Sequence, residues 1–222
     1  MWAADGGQVI VLVEAFLGNG LGLPEQQREH AERRSVVVRS GVTDAHVAIT
    51  FAAYNVGPCR NLDEDKLCRI YERRPLVCRI YPAEINPHIP LNPLAKDCPP
   101  ESWEQGPQLI VGGALVDQEL LELIQRSRQA DRDDIQVKDV ICAMLGIRTT
   151  ALKGDGFTAY LPNMAAFATV IDQVTAQPLG EAHSEWLFHV SGDDIAGQVL
   201  AAGAQVVTEP AQTYAFISLR AA

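Results

Sequence analysis

The sequence has no excess of positive charge. Its 222 residues include 18 Lys and Arg against 28 Asp and Glu, which gives a formal net charge of −10 at pH 7. Proteins that wrap nucleic-acid backbones or dock on anionic lipid depend mainly on clustered Lys and Arg. The charge balance therefore predicts neither a nucleic-acid partner nor a membrane partner.

Long hydrophobic runs are also lacking. The apolar run from Val9 to Val13 is closed by Glu14, and the first residues carry no positive charge ahead of it. The amino terminus therefore resembles neither a signal peptide nor a membrane span. We expect a cytoplasmic protein, in a reducing compartment where clustered thiols are metal ligands or redox groups rather than disulfides.

Cysteine is scarce, with five in the chain, but four of the five lie within forty residues. They are Cys59, Cys68, Cys78 and Cys98, in the pattern Cys-x8-Cys-x9-Cys-x19-Cys. Four thiolates complete a tetrahedral zinc site or ligate a four-iron cluster. The spacing matches neither paired Cys-x2-Cys knuckles nor a ferredoxin run, so spacing alone leaves unconnected buried cysteines as the alternative.

Arginines surround these cysteines in the sequence. They are Arg60, Arg69, Arg73, Arg74 and Arg79. A cationic neighbourhood stabilises thiolate and offsets the charge of either a four-thiolate zinc site or an oxidised four-iron cluster. The alternative is that the arginines form surface ion pairs with nearby acidic residues such as Asp63 and Glu72. The charge pattern supports a thiolate centre without identifying the metal.

The run Cys68-Arg-Ile-Tyr-Glu-Arg-Arg-Pro-Leu-Val-Cys78-Arg-Ile-Tyr-Pro82 resembles the signature of the zinc- or iron-chelating cysteine-cluster family of the CxxCxxCC type. The resemblance covers roughly Tyr54 to Pro99, and Cys59 and Cys98 match the flanking cysteines of that family. It implies a metal site with Cys59, Cys68, Cys78 and Cys98 as ligands and zinc or a 4Fe-4S cluster as the cofactor. Residues expected to surround the ligands are Tyr71, Arg74, Pro75, Arg79 and Tyr81.

One departure from the family pattern bears on the site. The family usually begins with a close group of cysteines, and no cysteine precedes Cys59 here. Either this chain carries a reduced four-cysteine version, or the native start lies upstream of Met1 and further ligands with it.

Two functions follow from these observations. The first is a metal-binding protein that holds one zinc ion or iron–sulfur cluster, with a purely structural role if zinc is bound by four thiolates. The second is a cluster-containing enzyme, either an oxidoreductase or a protein lysine methyltransferase, because a flagellin lysine N-methylase is similar in this region. A nucleotide or methyl-donor site is offered only by the glycines from Gly18 to Gly22, for which a plain turn is the better interpretation. No catalytic residue and no organic-cofactor ligand is assigned.

The hydrophobic pattern predicts an α+β fold, with a small loop-rich cysteine region that has short strands, followed by a mainly helical carboxy half. The corresponding regions are residues 1–105, which bind the metal, and 106–222, which pack on them or form a small second domain. Residues 9–16 are predicted to form a short buried strand or the start of a helix. Further strands are predicted at 35–39, 46–51 and 214–219, and helices at 76–81, 117–130, 134–145, 163–175 and 191–202.

Other metal-binding or nucleophilic residues are expected to be structural. Cys142 lies among apolar residues of a predicted amphipathic helix, which favours a buried core position. His183, Glu185 and His189 flank Trp186 and raise the possibility of a second metal site, but no His-Glu-x-x-His pattern is present.

Overall fold

The chain folds into two compact units. The computed structural model describes residues 6–98, 100–176, 185–207, 209 and 211–220. The sheet unit consists of Met1–Arg60 and Asp134–Ala222, and the inserted unit is Asn61–Asp133, which interrupts the sheet unit in sequence. The division into regions at residue 105 stays a prediction.

The amino-terminal part of the sheet unit is built on one long hydrophobic strand. Its elements are β1 (Gln8–Leu17), α1 (Arg28–Glu32), β2 (Val36–Ser40) and β3 (Thr43–Tyr54). Val9, Val11 and Val13 are buried and alternate with partly exposed neighbours, the two-residue period of a strand with one face on a core. Because all of β1 pairs antiparallel with β3, this ladder is the longest in the fold.

The inserted unit has little regular structure apart from one long helix. Its elements are α2 (Leu76–Ile80), β4 (Ile110–Val111), β5 (Ala114–Leu115) and α3 (Gln118–Asp133), with short 3-10 turns between them. The Asp117 carboxylate accepts a hydrogen bond from the backbone N–H of Leu120 at 2.9 Å. This caps the first turn of α3, because a side-chain oxygen there satisfies an otherwise orphan N–H.

The carboxyl-terminal part returns to the sheet. Its elements are α4 (Ile135–Met144), β6 (Thr149–Leu152), β7 (Gly156–Tyr160), α5 (Met164–Ala176), β8 (Leu187–His189), α6 (Asp193–Ala201) and β9 (Ala215–Ser218). The sheet runs in the order β2-β3-β1-β6-β8, and β7 also pairs with β1 and with β9. Strand β1 is therefore central, with β3 along one edge and both β6 and β7 along the other.

The predicted fold class is wrong in two respects. The amino-terminal strands are not short, because β1 has 10 residues and β3 has 12. The carboxy half is not mainly helical, because β6, β7, β8 and β9 complete a seven-stranded sheet. Strand β6 has only the four residues Thr149–Leu152 and pairs with β1, more than a hundred residues earlier in the chain. A long-range pairing of this kind leaves no periodic signal in the local sequence.

The helices are predicted better than the strands. Helices α3 and α4 lie where the apolar periodicity indicates, and α2, α5 and α6 lie close to where helix start and stop signals in the sequence place them. The helix predicted from residue 191 begins at Asp193, because the backbone N–H and the hydroxyl of Ser191 both donate to the buried Asp155 carboxylate. None of the helices within the described residues has the length and apolar character that crossing a membrane requires.

Candidate metal centre

Cys59 lies in the loop that follows β3. The backbone N–H of the next residue, Arg60, donates to the Asn55 side-chain oxygen at 3.4 Å, and this closes a short turn around the cysteine. The Cys59 side chain is exposed. Cys59 is therefore an accessible thiol close to the end of the amino-terminal part of the sheet unit.

Cys68 closes a tight hairpin at the start of the inserted unit. It forms an isolated antiparallel bridge with Leu62, and the N–H of Asp63 donates to the carbonyl of Leu67 at 2.9 Å. The Asp63 carboxylate accepts from the Leu67 N–H at 2.7 Å, and Lys66 takes the left-handed conformation with φ of 62°. Asp63, one of the acidic residues expected to pair with arginine, thus stabilises the turn that carries Cys68.

Arg74 and Pro75 shape the chain between Cys68 and Cys78. The Arg74 guanidinium stacks 3.6 Å from the centre of the Tyr71 ring, and its Nε donates to the Tyr71 carbonyl at 3.0 Å. Pro75 immediately precedes α2, and its carbonyl accepts from the Cys78 N–H at 3.0 Å. Arg74 and Pro75 therefore set the backbone that leads into α2, with Pro75 at the N-cap position of the helix.

Helix α2 presents Cys78 while its other side is anchored. Ile80 is almost fully buried against Leu123 and Ile124 of α3, and Arg79 makes a 3.4 Å ion pair with Glu119. Cys78 itself is exposed. Because the five-residue helix is too short to be stable alone, the position of Cys78 depends on this packing against α3.

The segment before Cys98 is tied to the end of α2. The Tyr81 hydroxyl accepts a hydrogen bond from the Asp97 N–H at 2.9 Å. Lys96 forms an ion pair with Glu84, and its Nζ lies 5.7 Å from the centre of the Tyr81 ring. We call these three contacts the Tyr81 clamp. They fix the backbone beside Cys98, which is partly buried. The sequence places Tyr81 near the ligands but gives no signal for Glu84 or Lys96.

Replacing Tyr81 by phenylalanine is expected to weaken zinc binding about 2- to 10-fold, the cost of losing one hydrogen bond. The ring stays and only the contact with the Asp97 N–H is lost. Tyr71→Phe is the matched control, because the Tyr71 hydroxyl makes no hydrogen bond within the described part of the chain. Competition with a coloured chelator measures both affinities. Equal affinities for the two variants would show that the Tyr81 clamp does not position a ligand.

The four sequence-predicted ligands are suitable donors but do not form a completed site. All four are thiols with accessible surface, which is the chemistry that zinc and iron–sulfur clusters require. Among the described residues, however, no three His, Cys, Asp or Glu side chains lie together as a group that could hold a metal ion. The donor set therefore fits the metal in chemistry, while its arrangement does not.

Cys142 confirms its predicted place in the core. It is fully buried on α4 in the cluster that includes Trp186 and Phe188. Burial, reinforced by the charge of Asp139 and opposed by that of Arg148, raises the pKa of its thiol to about 12. A thiol with this pKa stays protonated at neutral pH, in keeping with a cysteine that packs as a small buried core residue.

Thiol labelling is expected to separate Cys142 from the other four cysteines. In the metal-free protein at pH 8, a disulfide reagent should modify four thiols quickly and the fifth only after denaturant is added, because the buried thiol is protonated and inaccessible. Peptide mapping identifies the slow residue. Rapid modification of Cys142, or of all five at one rate, would contradict the assignment.

Glu185 and His189 are the two described members of the possible second group of ligands. His189 stacks on Phe216 with ring centres 4.4 Å apart and shares a 3.1 Å hydrogen bond with the Tyr214 hydroxyl. Burial lowers the pKa of His189, against an opposing effect of Asp155. Glu185 accepts from the Gly41 N–H at 3.0 Å, and His183 lies outside the described residues. Both described side chains have structural contacts.

Comparison with known families agrees with the cysteine pattern. Residues 22–99 match the CxxCxxCC family, described as a "putative zinc- or iron-chelating domain". The match contains all four clustered cysteines, confirms the resemblance seen in the sequence, and begins earlier than Tyr54, before β2 and β3. No curated protein and no solved structure matches the chain. The family description thus supports metal chelation by this segment.

Proposed function

We propose that this chain binds one zinc ion or one iron–sulfur cluster through Cys59, Cys68, Cys78 and Cys98. One observation carries the proposal: the four cysteines inside the zinc- or iron-chelating match are accessible thiols, whereas the single cysteine outside it is buried in the core. Buried cysteines behave as small hydrophobic residues. A set of accessible cysteines kept together in one segment needs a chemical reason, and soft-metal ligation supplies it.

The charge around the ligands supports a thiolate centre. Arg74 and Arg79 lie on either side of Cys78 in sequence, the first stacked on Tyr71 and the second paired with Glu119. Thiolates must lose their protons to bind metal, and cationic neighbours favour that loss. The arginines therefore hold positive charge on the segment that would carry the negative charge of the centre.

The kind of function depends on whether zinc or an iron–sulfur cluster is bound. A closed four-thiolate zinc site stabilises the fold, because no coordination position is left for substrate, while a four-iron cluster supplies one-electron transfer. The residues that carry the ligands have the same roles in both cases. The hairpin stabilised by Asp63 carries Cys68, and the packing of Ile80 against α3 positions Cys78. The Tyr81 clamp fixes the chain before Cys98. We expect the protein to act in a reducing compartment such as the cytoplasm, where the thiols persist.

Zinc titration of the metal-free full chain tests the proposal. We expect about one zinc per chain, as one tetrahedral site requires, with the same stoichiometry for the Cys142→Ala control. Reconstitution with iron and sulfide under anaerobic conditions tests the cluster in parallel. A chain that takes up neither zinc nor a cluster would refute the proposed function.

A further inference from the structure

The β4–β5 hairpin of the inserted unit consists of apolar residues and glycine. Its strands are joined by Gly112 and Gly113, and residues 109–116 include no polar side chain. Both glycines have positive φ, 58° and 80°, as a tight two-residue turn between antiparallel strands requires. The hairpin lies outside the matched residues 22–99, so the proposed metal binding does not explain its composition.

One face of the hairpin is attached to the core of the inserted unit. Leu115 packs against the cluster of Ile80, Leu123 and Ile124. Its partner in the ladder is Ile110, and directly paired residues project from the same face of a sheet. The face that carries Ile110 and Leu115 is therefore the inner face of the hairpin.

The opposite face is also apolar, and it is open to solvent. Leu109, Val111, Ala114 and Val116 alternate with the inner pair and so project outward. The exposed fractions of Val111 and Val116 are 51% and 50%. We call these four residues the outer hairpin face. A strand that packs one face on a core normally carries polar residues on the other, so this composition indicates a contact surface.

The free edge of β4 offers backbone hydrogen bonds. Within the part of the chain that the structure describes, β4 and β5 pair only with each other. The Val116 N–H donates to the Leu109 carbonyl at 2.9 Å, so by the alternation of an antiparallel ladder the backbone groups of Ile110 point away from the hairpin. An extended segment can add as a third strand at such an edge.

Acidic residues flank the hairpin on both sides. From residue 97 to residue 125 the chain has six Asp and Glu and no Lys or Arg. Glu104 before the hairpin and Asp117 and Glu122 after it are exposed, while Glu119 pairs with Arg79. This negative charge opposes the approach of a second copy of the chain, whose net charge is −10, or of an anionic membrane. It favours a segment that carries positive charge.

We propose that the hairpin is a docking site for an extended, basic-flanked segment of another protein. The segment adds as a third strand beside β4 and places alternate apolar side chains level with the outer hairpin face. Lys or Arg residues at its ends face the acidic residues around the hairpin. The inference goes beyond the proposed function and does not depend on metal binding.

Fluorescence anisotropy of labelled peptides with the full chain tests this docking site. Three peptides share a core of alternating valine and threonine and differ only in their flanks, which are lysine, glutamine or glutamate. We expect the lysine-flanked peptide to bind most tightly and the glutamate-flanked peptide least tightly, with a difference that shrinks as salt is raised. A lysine-flanked peptide with alternate amides methylated should bind about tenfold more weakly, because it cannot donate to the edge of β4.

Protein variants locate the site on the chain. The double variant Val111→Thr with Val116→Thr keeps two β-branched residues with high strand propensity. It makes the outer hairpin face more polar and should weaken binding of the lysine-flanked peptide about tenfold. The matched control is Val56→Thr, because Val56 is 89% exposed in the sheet unit, and this variant should bind like the wild type.

Several results would overturn the proposal. They are no binding of the lysine-flanked peptide, equal affinity for the three flanks or for the methylated peptide, and equal affinity of the wild type and the double variant. Two further results would assign the face to another occupant. A wild-type dimer in sedimentation equilibrium that dissociates in the double variant would identify a second copy of the chain. Co-sedimentation with phosphatidylcholine vesicles that the double variant loses would identify a lipid surface.

Discussion

Replacement of Cys78 by serine is expected to abolish the stabilisation that zinc gives to the wild-type protein. A ligand that binds only the folded state stabilises it by about 2.7 kcal/mol when its free concentration is 100 times Kd. In a chain of this size that corresponds to a rise in Tm of roughly 5 to 10 °C. Serine lacks the soft thiolate and leaves an incomplete ligand set, so the zinc-dependent rise should disappear.

The control for this experiment is Cys142→Ala. Because Cys142 is fully buried outside the matched segment, this variant should have a lower baseline Tm and should keep the full zinc-dependent rise. Differential scanning calorimetry with and without zinc measures both quantities. A zinc-dependent rise of the same size in Cys78→Ser and in the wild type would exclude Cys78 as a ligand.

Replacement of Arg148 by methionine is expected to lower the free energy of unfolding by about 3 to 5 kcal/mol, the usual cost of removing one partner of a buried ion pair. Arg148 pairs with Asp139 at 3.0 Å, and both side chains are largely buried. Its guanidinium also lies 5.1 Å from the centre of the fully buried Trp186 ring. Without Arg148, the Asp139 carboxylate stays in the core with no opposite charge beside it.

The Asp139–Arg148 pair also predicts how the loss of unfolding free energy in Arg148→Met depends on pH. Burial raises the pKa of Asp139, and the hydrogen bond and charge of Arg148 oppose the rise. Without Arg148, the pKa of the Asp139 carboxyl in the folded state rises further above its value in the unfolded state. The unfolded carboxyl then releases its proton at lower pH than the folded one, so stability is lost as pH rises through this interval. The variant should therefore be closer to the wild type below pH 4 than at pH 7.

A matched control uses the same substitution at an exposed pair. Arg39 and Asp44 form a 2.8 Å ion pair with both side chains more than half exposed, so Arg39→Met should cost less than about 1 kcal/mol. Urea unfolding at pH 7 compares the stability of the two variants. The double variant Asp139→Asn with Arg148→Met should recover part of the stability that Arg148→Met loses. Equal effects at positions 148 and 39 would show that burial of the Asp139–Arg148 pair contributes nothing.

The sequence indicates the elements whose signals are local. The apolar run of β1 predicts a buried element that is either a strand or the start of a helix, and the apolar periodicity of α3 predicts a helix with one buried face. Strands β6 and β8 are missed. They are four and three residues long and are defined by pairing with distant strands rather than by their own composition.

Some features of the candidate site can likewise be predicted from local sequence, and others cannot. The prediction that the four clustered cysteines are the ligands rests on side-chain chemistry and on the match of residues 22–99, both of which are properties of the sequence. The Tyr81 clamp does not follow, because it joins Glu84 and Lys96 across an irregular loop with no periodic pattern. The buried pair of Asp139 and Arg148 is likewise invisible locally, since only the tertiary fold removes both groups from water.

The most direct test of metal binding is the metal and acid-labile sulfide content of the full chain, purified without oxygen and compared with Cys78→Ser. We expect the wild type to contain either about one zinc per chain and no colour, or about four iron and four sulfide with visible absorption. The variant should contain neither. Metal-free wild-type protein, or equal metal in the wild type and the variant, would contradict a four-cysteine centre.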